Sequence, residues 1–131
     1  MVSNNSPDYI SPQQWQSRGE LEILLGHSIF VVDEGAAHLP TIVLLHGFPT
    51  SSWDWQLIWD ELAKDYRLIA LDMLGFGFSD KPNSRQYSIH GQADIVEALV
   101  KTKGLTNFHV LAHDYGDTVA QELLALSLIH I

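Results

Sequence analysis

Residues 108–124 read F-H-V-L-A-H-D-Y-G-D-T-V-A-Q-E-L-L, a succession of patterns that leaves few folds open. A short apolar run, Val110 to Ala112, meets the tight turn Ala112-His113-Asp114-Tyr115-Gly116. A helical pattern follows, with Val119, Leu123 and Leu126 at near-helical spacing. Strand, sharp turn and helix in that order form the context of a nucleophile elbow. There a strained turn lifts one side chain to the top of a sheet, and small flanking residues let the backbone fold that tightly. The lifted residue here is Asp114. An aspartate before a helix also serves as an N-cap, so the turn alone leaves both readings open.

The rest of the chain alternates in a way that suits the elbow. Leu21–Leu25 and Ile29–Val32 are apolar runs joined across Gly26-His27-Ser28, which predicts an antiparallel hairpin. Thr41–Leu45 and Arg67–Leu71 are apolar almost throughout, as central strands covered on both faces are. Ser51 or Ser52 can cap a helix between them, with Trp53, Leu57, Ile58, Trp59 and Leu62 as a broad apolar face. Ser88 can cap a second helix running to about Thr102, ended by Gly104. The final strand is Phe108–Ala112. A hairpin followed by strand-helix-strand-helix-strand-helix predicts an α/β fold with a parallel sheet and helices on both faces. Residues 1–17 read as a flexible lead-in, 18–125 as a partial domain and 126–131 as an atypical tail.

Composition narrows the function classes. With 46% hydrophobic and 18% charged residues in 131, the chain is one globular unit. A net charge of −9 opposes nucleic acid and anionic membranes as partners. The absence of cysteine excludes disulfides and thiolate metal sites. No apolar stretch reaches the roughly 18–20 residues of a membrane span, and the N-terminal M-V-S-N-N-S-P-D-Y-I is not a signal peptide as written.

In an open parallel sheet, ligands bind beyond the carboxyl ends of the strands, where His46-Gly47-Phe48, Asp72 and Asp114 all fall. His46-Gly47-Phe48-Pro49 can offer the Phe48 N–H as one oxyanion-hole donor, and the Tyr115 N–H is the other. With that segment present, the nucleophile reading of Asp114 outweighs capping. His46, Gly47, Pro49, His113 and Gly116 are expected as structural support. Gly75-Phe76-Gly77 lacks the third glycine and the strand-to-helix setting of a dinucleotide loop. The His113-Asp114 doublet has no further ligands on helices, so no metal is expected, and no cofactor. Trp53, Trp55 and Trp59 read as core.

The segments L-L-H-G-F-P-T-S-S-W-D-W, R-L-I-A-L-D-M-L-G-F-G-F-S-D-K-P, Y-S-I and H-D-Y-G-D-T-V-A-Q-E-L-L resemble the α/β-hydrolase superfamily, its epoxide hydrolase and haloalkane dehalogenase branch above all. The resemblance covers most of residues 19–125 and implies the N-terminal part of that fold, truncated after the elbow helix. It implies Asp114 as nucleophile towards an sp³ carbon, with an alkyl-enzyme ester then hydrolysed by water. Phe48 and Tyr115 take the oxyanion-hole positions and a small-molecule or lipid-like compound is the substrate. Dehalogenase-type members hold halide with an indole N–H after the nucleophile; Tyr115 stands there instead.

The family's base histidine and its acid lie well beyond the elbow, and His130 is not placed to replace that base. Inactivity is therefore expected of these 131 residues alone. A catalytically silent binding or scaffold protein is the alternative, and an incomplete gene product is a third reading. The resemblance also implies association with the endoplasmic reticulum membrane through an apolar N-terminal segment, of which this chain shows no sign. In the family's strand order another strand flanks 108–112, so self-association through an exposed sheet edge is expected.

Overall fold

The computed structural model describes residues 10–83 and 87–126. In order these form α1 (Pro12–Gln16), β1 (Glu20–Leu24), β2 (His27–Glu34), β3 (Thr41–Leu45), a 3-10 turn (Ser52–Trp55), α2 (Gln56–Leu62), β4 (Arg67–Leu71), α3 (Ile89–Thr102), β5 (His109–Ala112) and α4 (Tyr115–Leu126). The sheet order is β1-β2-β4-β3-β5. β1, β2 and β4 pair antiparallel, whereas β3 runs parallel to both β4 and β5. The hairpin, the parallel core and the helices on both faces are as the sequence predicts. Of the tail read at 126–131, residues 127–131 with His130 lie outside the described residues, as do the first nine residues of the chain.

Two-faced burial explains the unbroken apolar runs. On β3, Val43 and Leu45 join one core and Leu44 the other; on β4, Ile69 and Leu71 oppose Leu68 and Ala70 in the same way. All of these are fully buried. α3 and α4 cover the first face with Ala93, Val96, Leu99, Val119 and Leu123. They are also clasped at the surface, where His90 Nδ1 lies 3.1 Å from Glu122 Oε2. α1 and α2 cover the second face with Trp15 and Trp59, whose rings meet edge to face at 5.0 Å. β5 is the outermost strand on its side among the described residues.

Local signals set the ends. Ser88 Oγ accepts the Gly91 N–H at 2.9 Å to start α3. Its end is a Schellman motif, in which the Leu105 N–H returns to the Val100 carbonyl and the Gly104 N–H to that of Lys101. The Ser51 hydroxyl accepts the Trp53 N–H and opens a 3-10 turn before α2.

Three expectations need correction. Leu25 is not in the strand: it turns the hairpin with φ 51°, so β2 begins two residues early, at His27. Residues 12–16, expected within a flexible lead-in, form a short helix with a complete capping box between Ser11 and Gln14. That helix buries Trp15. The broad apolar face expected on α2 is also narrower, because Trp59 alone is driven home while Leu57 and Ile58 remain 59% and 40% exposed. The 3-10 turn rotates the helix relative to a continuous α-helix from Ser52, which moves those two side chains outward.

Trp15→Ala should therefore cost about 3–5 kcal/mol in urea unfolding. Leu57→Ala, although removing an apolar side chain of similar hydrophobicity, should stay within about 0.5 kcal/mol. A Trp15→Ala loss within about 0.5 kcal/mol would mean that α1 contributes nothing to the core.

Candidate active site

The elbow forms where β5 runs beside β3. The His113 N–H extends the parallel ladder by one bond, to the Leu45 carbonyl at 3.2 Å. Asp114 then takes φ 57°, a left-handed conformation uncommon for any residue but glycine. α4 begins at once. The Gly116 N–H bonds the His113 carbonyl and the Asp117 N–H the Asp114 carbonyl. Those two amides are the ones a capping carboxylate would take, so the Asp114 side chain is left to face elsewhere.

It faces the loop after β3. Asp114 Oδ2 accepts the Phe48 N–H at 3.1 Å across 66 residues of sequence. Two glycines permit this approach. A Cβ on Gly47 would stand 3.0 Å from Asp114 Cβ, and one on Gly116 only 2.3 Å from the Leu45 carbonyl oxygen. The Tyr115 N–H lies in the first turn of α4, where a helix has no internal carbonyl to offer it. The Phe48 amide thus holds one oxygen of the carboxylate, and the Tyr115 amide is the next in the chain after Asp114. The peptide between Phe48 and Pro49 is cis.

His46 is fully buried behind this loop. Its Nε2 accepts the Met73 N–H at 3.0 Å, which assigns the proton to Nδ1, and Nδ1 donates to the Gly47 carbonyl at 2.8 Å. Burial pushes its pKa below the ordinary histidine value, against the pull of the Gly47 carbonyl and the Asp72 and Asp54 charges. With both nitrogens committed, His46 braces the β3 and β4 loop ends against each other. His113 is exposed at the elbow. Among the described residues no three His, Cys, Asp or Glu side chains are grouped to hold a metal, and no helix is long and apolar enough to cross a membrane.

Sequence reading missed Phe76. Its ring lies 5.3 Å from His46, 5.8 Å from Phe48 and 5.8 Å from Tyr115, centroid to centroid. It therefore joins the loop after β4 to both sides of the elbow. A cavity of about 310 Å³ opens along this array, lined by Phe48, Leu74, Phe76, Tyr87, Gln92 and Tyr115 among others. The only hint in the sequence was an aromatic between two glycines.

The chain matches the alpha/beta hydrolase fold family over residues 40–127. It is 54% identical over 125 residues to the mesoderm-specific transcript homolog protein of Homo sapiens, an alignment that takes in 90% of this chain and 37% of that protein. Among solved structures, a haloalkane dehalogenase loop variant from Bradyrhizobium elkanii superposes with a TM-score of 0.77 at 32% identity, covering 82% of this chain and 35% of that one. An epoxide hydrolase from Vigna radiata superposes with a TM-score of 0.76 at 28% identity, covering 82% and 33%. The chain thus spans little more than a third of the length of these relatives.

Two outcomes follow from the elbow's geometry. Gly116→Ala should push the turn off β3 and cost about 1–3 kcal/mol in chemical unfolding, with loss of the Phe48 amide's bonded NMR signature. An alanine tolerated without either change would refute the close approach. The buried His46 also makes acid destabilising. Its contribution is complete above the ordinary value of about 6.5 and is lost as pH falls below it towards the lowered folded value. His90 has the opposite sign, since hydrogen bonding to Glu122 and the Asp94 charge raise its pKa. In a His90→Gln background, the melting temperature should fall monotonically on acidification through this window.

Proposed function

Because the chain belongs to the α/β-hydrolase fold family, we propose that Asp114 is the nucleophile of a hydrolase that attacks an sp³ carbon, in the manner of an epoxide hydrolase. The observation that carries this reading is the 3.1 Å bond from the Phe48 N–H to Asp114 Oδ2 at a turn of φ 57°. One carboxylate oxygen is held by a backbone donor, which leaves Oδ1 to attack. Attack on an epoxide carbon forms a C–O ester bond to Asp114 and breaks the ring C–O bond, and the freed alkoxide takes up a proton. When water later adds to that ester, negative charge builds on the carbonyl oxygen beside the Phe48 and Tyr115 amides.

An epoxide suits the site better than a halide. A leaving halide needs hydrogen-bond donors in the positions of Phe48 and Tyr115, and the Phe48 ring has none. An ester substrate suits it less, since carboxylate attack on an acyl carbon gives only an anhydride.

Release of the ester requires a histidine base oriented by an acid. His46 cannot act so, with both ring nitrogens engaged. Without such a base the ester on Asp114 accumulates.

Mass spectrometry after exposure to styrene oxide tests this directly. The peptide carrying Asp114 should gain the mass of one intact epoxide, and Asp114→Asn should abolish the adduct. No adduct on a folded chain would favour the non-catalytic binding or scaffold reading.

A further inference from the structure

We infer that His46 is a positioning residue for the Phe48 amide: by holding the Gly47 carbonyl, it sets the plane of the peptide whose N–H meets Asp114. What that amide does in the reaction rests on the reading of Asp114 as nucleophile; how it is held does not.

The Gly47 carbonyl and the Phe48 N–H belong to one planar peptide group and point to opposite sides of it. Fixing one end therefore aims the other. The N–H end meets Asp114 Oδ2 at 3.1 Å, and the carbonyl end accepts the His46 Nδ1–H at 2.8 Å. The N–H and the hydroxyl of Thr50 also lie 3.2 Å from that carbonyl oxygen. The hydroxyl has one proton and a closer acceptor in Asp54, so His46 is the side-chain donor that fixes the carbonyl.

Three hydrogen bonds then run head to tail. The Met73 N–H donates to His46 Nε2 at 3.0 Å, His46 Nδ1–H to the Gly47 carbonyl, and the Phe48 N–H to Asp114. Each acceptor polarises the donor that follows it, which strengthens the last bond of the row. The imidazole suits this place because it is fully buried and its ring meets Phe76 at 5.3 Å, which fixes its orientation. Burial also holds its pKa below the ordinary value, so the ring stays neutral and keeps the lone pair that accepts from Met73.

The test uses the Asp114 ester formed with styrene oxide and cleaves it with hydroxylamine. The amine nitrogen bonds to the ester carbonyl carbon and gives up a proton. The C–O bond to the hydroxyalkyl group breaks, the diol leaves with that proton, and a hydroxamate remains on Asp114. Negative charge builds on the carbonyl oxygen during this step, where a well-aimed amide counts most. The rate in the folded chain, divided by that of the urea-unfolded adduct, reports the aim. His46→Gln keeps an acceptor for the Met73 N–H but loses the donor at the Gly47 carbonyl. It should lower the ratio about tenfold, less than the loss on deleting a donor outright. His46→Asn keeps a donor at that carbonyl and gives up Met73, and should recover most of the loss. A bracing or space-filling role alone gives the reverse order, because glutamine is nearer to histidine in volume.

In wild type, nitrogen NMR of the imidazole should show Nδ1 protonated, with scalar coupling across the hydrogen bond to the Gly47 carbonyl. A ratio unchanged in His46→Gln, a lower ratio in His46→Asn than in His46→Gln, or a wild-type ring protonated at Nε2 would each overturn the proposal. The last of these needs no variant to fold. If wild type forms no Asp114 adduct, the nucleophile reading falls and the Phe48 amide proton shift decides the positioning. That shift should move upfield in His46→Gln and hold in His46→Asn; a shift unmoved in His46→Gln would overturn it.

Discussion

Asp72 is the constraint on which the upper rim of the sheet depends. It is fully buried at the carboxyl end of β4. Oδ1 accepts the Ser52 N–H at 2.8 Å and the Ser52 hydroxyl at 2.5 Å, and Oδ2 accepts the Phe78 N–H at 2.8 Å. Its carbonyl accepts the Ser79 hydroxyl, which in turn accepts the Phe30 N–H. A buried carboxylate is tolerable only when saturated in this way. The consequence is that β2, the turn into α2 and the loop at 75–80 are all tied to one group. Trp15 joins the same net, its indole donating to the Ser52 hydroxyl at 2.9 Å. With the packing of Trp15 on Trp59, that bond ties the five-residue helix to the sheet.

From that anchor the site is built outward in two steps. The 75–80 loop, pinned at both Phe78 and Ser79, carries Phe76 against Phe48 and Tyr115. His46 reaches back from the β3 end to the Met73 N–H. The loop after β3 is therefore clamped from below by an imidazole and from the side by a ring. A non-glycine residue at φ 57° costs on the order of 1 kcal/mol or more, and such strain persists only where the surroundings over-determine it. The ladder bond to Leu45, the helix starting at Tyr115 and the packing of Gly116 under β3 provide that over-determination.

How much of this was legible follows from where each signal resides. Burial on both faces leaves an unmistakable record in β3 and β4, because every residue of a central strand must be apolar. The elbow was legible because its turn, strand and helix are contiguous. Asp114 and Phe48 could be paired only through the family's pattern of segments, since 66 residues separate them. α1 carried a capping box, Ser11 with Gln14 after Pro12, but one buried tryptophan gives no periodicity to read. Leu57 and Ile58 misled because a helix that starts with a 3-10 turn has no fixed phase in the sequence. Phe76 was invisible as a site residue for a different reason. Its role comes wholly from a loop held by Asp72, and neither residue advertises the other.

Phe48 joins two parts of the structure in one residue. Its backbone N–H meets the Asp114 carboxylate while its ring packs on Phe76 and Tyr115, so the two contacts separate by substitution. An aliphatic side chain at 48 leaves the amide in place and alters only the ring contacts. The elbow and the loop after β4 meet at this residue, and clamping it through Phe76 fixes the ring and the amide together.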